Sequence, residues 1–499
     1  MTALRRCLPA FLLFLGLVAG NPSSAAARPL TILHFNDFHG HLEPVTDAAT
    51  GETLGGIARL AGAIAAVRAE DPKRPVLVLF GGDLLQGTVT STVFLGLPDL
   101  DMLGQAGVDA AVMGNHELDY GQDHLRTLLA RSRYPILGAN VRAAPEPFPL
   151  RPAVLLEPSG GPRVAVLGLV TEELATTTHP RNAVGVSVDD AIATARTLIP
   201  ALERQADLVV VLSHLGIAED RRLGREVPGV DLVVGGHNHN RYAQPVIENG
   251  VPIVQAGDWG RWLGRMDLDV EEGKARVVGY RLIPIDASIA EDPAIAAQAR
   301  ALGQRLEAEV GVVVGRLEYE LDGRREVIRR GESAFGNLLG DLARELTGSD
   351  VSLFNGGGIR TSVPAGEVRL KHVYEAIPFA NELVTGTLSG AQLLAALERS
   401  ASLDPLDNPG GFLQVSGLRY SIRDGRVDEV TVDGLPLRSD ARYRAVMPDF
   451  LAAGGDGYAT LAAMQDKVAT GRIISDMLVE AFRARGTITP VTDGRIVRR

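Results

Sequence analysis

The stretch "AVMGNHELDYG", Ala111 to Gly121, runs out of a short apolar segment, sets Asn115, His116, Glu117 and Asp119 within five residues, and ends on a glycine. A polar group packed beside a core costs roughly 2–7 kcal/mol unless something binds it. A metal ion or a substrate is therefore the first expectation for this segment.

The arrangement recurs along the first half of the chain. "LTILHF" runs into "NDFHGH", "PVLVLF" into "GGD", "DLVVVLS" into "HLG", and "DLVVGG" into "HNH". With the opening stretch, five β-rich runs release Asp, Asn or His at their C-terminal ends, which is where open α/β sheets assemble their sites. Five of the ten histidines, His39, His116, His214, His237 and His239, stand at polar strand ends in these motifs, which coincidence explains poorly. Between the runs lie helical patterns such as "GGIARLAGAIAAVRAE", where Ile57, Leu60, Ile64 and Val67 keep a helical period. Alternating strand and helix predicts a layered α/β domain over residues 28–290.

Asp37, His39, Asp83, Asn115, His214, His237 and His239 offer imidazole nitrogen, carboxylate and amide oxygen, and no sulfur. That donor set suits borderline divalent ions: zinc, manganese, cobalt or iron. The donors suffice for two ions, and Asp83, alone after its strand and backed by two glycines, is placed to bridge both. Two ions about 4 Å apart can generate hydroxide and clamp both oxygens of an in-line displacement at phosphorus.

At 499 residues the chain exceeds one ordinary core, and two domains are expected. "EDPAIAAQARALGQRLEAEVG", with acids and Pro293 at its start, predicts a connecting helix over 291–312. A second α/β domain follows over 313–499. There "SAFGNLLGDLAREL" places Phe335, Leu338, Leu339, Leu342 and Leu346 on one helical face, "VSLF" reads as a buried strand, and a helix is expected near Ser389 to Ser400. The formal charge of -11 argues against nucleic acid, because a phosphate-backbone binder presents a basic face. An acidic protein acting on an anion must carry its positive charge locally, as metal ions or a few arginines.

Residues 1–27 read as a signal peptide: Arg5 and Arg6, an apolar run from Cys7 to about Gly20, then small residues up to Ala27. The run is too short to span a membrane comfortably. Cleavage would remove Cys7, the only cysteine, and leave a chain without disulfides. The expectation is a periplasmic or secreted protein with no lipid or membrane anchor and no obligatory protein partner.

"NDFHGHLEP", "GGDLLQGT", "GNHELDYG", "SHLG" and "GGHNH", in this order, resemble the calcineurin-like metallophosphoesterases. With "NGGGIR", "IPFAN" and "FLAAGGDGY" behind them, the chain resembles the two-domain 5'-nucleotidase and UDP-sugar hydrolase family over nearly all of its length after residue 27. The resemblance implies one ion held by Asp37, His39, Asp83 and His239, and a second held by Asp83, Asn115, His214 and His237. It implies that His116, oriented by Asp119, stabilises the charge developing on the phosphate in the transition state. Glu117 receives no role beyond a structural hydrogen bond.

In the second domain Asn355, Gly357 and Arg360 of "NGGGIR" would approach the nucleotide. Phe379 and Phe450 match the aromatics that sandwich the base, each worth roughly 1–3 kcal/mol in stacking, and Asp456 matches the acid that holds the ribose hydroxyls. One departure stands out. Where relatives carry an arginine shortly before "GNL", this chain has Ala334, so one phosphate or ribose contact is missing or supplied elsewhere.

The reaction implied is hydrolysis of a nucleoside 5'-monophosphate, with nucleotide sugars or other nucleotides as further substrates, aided by a rotation of the domains about the connector. Rivals are a 2',3'-cyclic-nucleotide phosphodiesterase with 3'-nucleotidase activity and a hydrolase of non-nucleotide phosphate or sulfur esters. A binding protein without turnover would need neither His116 nor Asp119. His34, His41, His124, His179 and His372 are read as structural or surface residues, with His41 nearest the site, and Trp259 and Trp262 as packing residues.

Overall fold

Alternation along the strands decides which layer each side chain enters. In the strand Val164–Val170, Val164, Val166 and Val170 share a core with the first sheet, while Ala165, Leu167 and Leu169 face the helices Ala191–Glu203 and Ile217–Glu226. The neighbouring strand Leu208–His214 divides in the same way, Leu208, Val210 and Leu212 inward and Val209 and Val211 outward. Burial on both faces is what makes these runs continuously apolar.

The computed structural model describes residues 27–46, 51–179, 181–271, 274–407 and 409–499, so the expected signal peptide, apart from Ala27, lies outside the described residues. Two six-stranded sheets stack face to face in the first unit. One runs Lys274–Pro284, Trp262–Glu271, Arg28–Phe35, Val76–Phe80, Ala110–Val112 and Ile136–Leu137 in spatial order. The other runs Val246–Glu248, Val251–Val254, Leu232–Val234, Leu208–His214, Val164–Val170 and Ala153–Leu156. The central strands of each are parallel. Their C-terminal ends therefore open on one rim, and all five polar motifs lie there.

The predicted connecting helix spans Pro293–Val310. Asp292 caps it by accepting from the backbone of Ala294 and Ile295, each at 2.9 Å. Ile295, Ala296 and Leu302 bury this helix against the first core.

The second unit is built on a five-stranded sheet ordered Leu413–Ser416, Val351–Asn355, Arg442–Pro448, Glu382–Ser389 and Gln465–Ile473. The helix Ala334–Thr347, capped by the Ser333 hydroxyl, lays Phe335, Leu338, Leu339 and Leu342 on one side together with Phe354 of the strand Val351–Asn355. Val351 and Leu353 face the other side and the helix Gly390–Ser402. Leu346, predicted on the buried face, is 43% exposed, because the core ends one turn before the helix does. No helix among the described residues is long and apolar enough to cross a membrane.

Candidate active site

The seven expected ligands converge at the rim. The donor atoms of Asp37, His39 and His239 lie within 4.8 Å of one another, and so do those of Asp83, His214 and His237. Nε2 of His39 is 3.1 Å from Nε2 of His239, and Nε2 of His239 is 3.5 Å from Oδ1 of Asp37. Asp83 stands between the groups, its Oδ2 3.2 Å from His214 and 3.8 Å from His39. Asn115 completes the second set, with Oδ1 3.3 Å from His214 and 3.1 Å from Nδ1 of His237.

Backbone geometry serves this convergence. Asp37, His39, Asp83, His237 and His239 all adopt positive φ, a conformation costly for residues with a Cβ and concentrated at functional sites. Gly114 and Gly236 are required as glycines, since a Cβ on either would collide with the Asp83 carboxylate or with the Gly81 carbonyl.

Three imidazoles are held with one nitrogen turned away. Nδ1–H of His39 donates to the Gln86 carbonyl at 2.8 Å, that of His214 to the Gly81 carbonyl at 2.8 Å, and that of His239 to Asp258 at 2.9 Å. Their Nε2 atoms are left pointing into the site, the arrangement of metal-binding histidines. Burial, and then His239, hold the His39 pKa well below its ordinary value, so it is the neutral, ligating form. Burial pushes Asp37 up to about 7. Burial also opposes ionisation of Asp83, but His214 and His116 outweigh it and hold that carboxyl well below the usual range. This donor set fits divalent ions.

His116 also lies near His39 and Asp83, but its Nδ1 is engaged by Oδ2 of Asp119 at 2.6 Å. Burial works against the imidazolium, yet Asp119 and Asp83 prevail and raise its pKa above the ordinary value. Asp119 is held in turn by the Thr178 hydroxyl at 3.2 Å and, through its backbone carbonyl, by the Asn182 amide at 2.8 Å.

The second unit supplies the facing wall of a cleft of about 860 Å³ lined by Asn355, Gly357, Arg360, Phe379, Phe450 and Asp456. Asn355 donates to Asp456 at 2.9 Å, and burial lifts that carboxyl to about 6. The Arg360 guanidinium lies 5.9 Å above the Phe379 ring, whose centroid is 6.4 Å from that of His116. Burial, and then Arg325, pull the Arg360 pKa down to about 10. Both phenylalanines are half-buried at the cleft surface.

Arg325 and Arg329 also line this cleft. Arg325 reaches across to His239, its guanidinium 3.3 Å from Nε2. Two cations thus stand on this wall earlier in the chain, while Ala334 opens a helix outside the cleft. Both arginines went unrecognised in the run "RREVIRRG", whose charge density reads as a solvated loop. His179, expected to be structural or at the surface, faces Asp449 across the cleft, with Nε2 3.1 Å from Oδ2. His41 stacks on Trp259 at 4.4 Å, and Arg241 covers Trp262 at 4.5 Å, as packing residues do.

Residues 30–241 match the calcineurin-like phosphoesterase family, and residues 313–463 match the 5'-nucleotidase C-terminal domain. The first unit is therefore a metallophosphoesterase domain, and the protein a metal-dependent hydrolase. The chain is 30% identical to the 5'-nucleotidase of Vibrio vulnificus over 92% of its own length and 91% of that protein. It is also 30% identical to the trifunctional nucleotide phosphoesterase protein YfkN of Bacillus subtilis, but spans only 35% of that longer chain. The crystal structure of the 5'-nucleotidase precursor from Thermus thermophilus superposes with a TM-score of 0.87 at 32% identity, over 94% of this chain and 99% of that one. The chain belongs to the 5'-nucleotidase family.

Proposed function

We propose that the chain is an exported phosphohydrolase that releases phosphate from nucleoside 5'-monophosphates. One observation carries the reading: a single cleft sets metal-type ligands and His116 on one wall, and three arginines, two exposed aromatic faces and Asp456 on the other. The names of the Vibrio and Thermus relatives agree with it. Export rests on the composition of residues 1–27.

In this reading Asp37, His39, Asp83 and His239 hold one divalent ion, and Asp83, Asn115, His214 and His237 hold another. When bound, the ions supply an activated water and withdraw charge from the phosphoryl oxygens. His116, kept cationic by Asp119, presents its Nε2 edge to an oxygen that gains charge in the transition state. Arg325, Arg329 and Arg360 neutralise the phosphate from the other wall. Phe379 and Phe450 stack the base, Asp456 accepts from the ribose hydroxyls, and Asn355 and Gly357 line the same approach. Ala334 withholds one expected cation, and Arg325 and Arg329 offer cations on the same wall, which supports the nucleotide reading.

The test is phosphate release by residues 28–499, stripped of metal and reloaded with manganese, zinc, cobalt or iron. Substrates are 5'-AMP, 3'-AMP, 2',3'-cyclic AMP, UDP-glucose and an aryl phosphate. Preference for 5'-AMP is the expected result. Turnover of the aryl phosphate alone would sink the base clamp, and preference for cyclic AMP would move the chain to the cyclic phosphodiesterases.

A further inference from the structure

Glu117 is 3% exposed and faces away from the cleft. Its Oε1 accepts the backbone N–H of Leu84 at 2.6 Å, and its Oε2 accepts the backbone N–H of Gly114 at 2.7 Å. Leu84 directly follows Asp83 in the chain, and Gly114 directly precedes Asn115. The strands that deliver these two ligands, Val76–Phe80 and Ala110–Val112, pair only through Leu79 with Ala110 and Phe80 with Ala111. Beyond that register the ladder stops, and the Glu117 carboxylate spans the gap between the two diverging loops.

Other ligand loops are tied differently. Asn36 donates to the Gly257 carbonyl at 2.6 Å and accepts from Ala256 at 2.8 Å. Gln255 donates to the Gly236 carbonyl at 3.0 Å and accepts from Asn240 at 3.1 Å. Each of those sites joins a donor to an acceptor, so an amide satisfies it. At Glu117 both partners are donors, and only a group with two acceptor oxygens satisfies them together. A glutamine there would turn an NH2 against a backbone N–H.

We propose that Glu117 is a positioning residue that sets the separation of Asp83 and Asn115, and through it the affinity of the ion those two residues share. The inference rests on the proposed metal reading of the site. Asp83 is also fixed from the same side, its Oδ1 accepting from the His116 backbone at 3.0 Å. Loosening the loops therefore acts on the position of the carboxylate shared by the two ligand sets. Partners that orient metal ligands typically change affinity about 10–100-fold when lost.

The experiment titrates manganese into the chelator-stripped chain, residues 28–499, by calorimetry, for wild type, Glu117→Gln and Glu117→Asp, with melting of the stripped forms alongside. The expected result is two ions per wild-type chain and a weaker second ion, about 10–100-fold, in Glu117→Gln. Wild-type affinity for both ions in Glu117→Gln, with only the melting temperature lowered, overturns the proposal and leaves Glu117 a structural tie. Should Glu117→Gln fail to fold, Glu117→Asp decides by the same readout, since its shorter side chain cannot reach both N–H groups. A wild-type chain that takes up no manganese overturns the metal reading itself, and the tie with it.

Discussion

Nδ1 of His116 and Oδ2 of Asp119 stand 2.6 Å apart, and the other Asp119 oxygen is occupied by the Thr178 hydroxyl. The carboxylate thus has one free task, to keep the imidazole oriented and charged. His116→Ala should lower kcat for 5'-AMP by about 10²–10³-fold with manganese content unchanged. Because the His116 pKa is raised, its cation persists above the usual range, and kcat should fall as pH climbs through that raised value. Asp119→Asn removes the counter-charge and should move this falling limb to lower pH. A pH–rate profile of the two proteins checks the sign, and coincident limbs would separate Asp119 from the titration.

Phe450 lines the cleft beside His179, half-buried, with ring centroids 6.5 Å apart. Phe450→Ala should raise KM for 5'-AMP in line with a loss of about 1–3 kcal/mol of stacking. The same variant should turn over an aryl phosphate as wild type does. Equal losses on both substrates would mean that Phe450 supports the wall rather than a base.

Arg329 is 8% exposed and lines the cleft with Arg360 and Arg325. A charge-assisted contact is worth about 1.5–3 kcal/mol. Arg329→Ala should therefore cost roughly 10–150-fold in kcat/KM for 5'-AMP. Inorganic phosphate should inhibit it more weakly by a similar factor, and unchanged phosphate inhibition would exclude Arg329 from anion binding.

Asp99, in the helix Leu97–Ala106, is fully buried, and neither carboxylate oxygen has a hydrogen-bond partner among the described residues. Burial pushes its pKa from 3.8 to about 7. A folded-state pKa raised above the unfolded one gives stability that is complete below about pH 4 and lost as pH rises through 7. Asp99→Asn should abolish this dependence and stabilise the protein at pH 8, by on the order of a few kcal/mol. Thermal melts of both proteins at pH 5 and pH 8 decide it, and parallel behaviour would show that Asp99 has a partner in solution.

The strand ends were legible in the sequence because a parallel sheet delivers its C-terminal residues to one rim, so Asp37, Asp83, Asn115, His214 and His237 could be grouped without coordinates. The helix Pro293–Val310 was legible because Asp292 and Pro293 announce its start. Arg325 and Arg329 were not, since a short helix and a turn aim them inward and nothing in an arginine-rich run says which members will be buried. Asp258 was equally silent. Its place beside His239 follows from a turn in which Trp259 takes φ +59, bonded through its own N–H to the Asp37 carbonyl. Leu346 shows the converse, since periodicity reports a face but not where the core stops.

His179 and Asp449, and Arg325 and His239, approach each other directly across the cleft. On the proposed reading, a nucleotide held by groups from both walls would leave as these contacts part. Catalytic throughput then becomes a matter of solvent drag on two moving bodies: kcat for a good nucleotide should decline as glycerol or sucrose thickens the medium, while a poor ester, slow at the bond-breaking stage, should be indifferent to it.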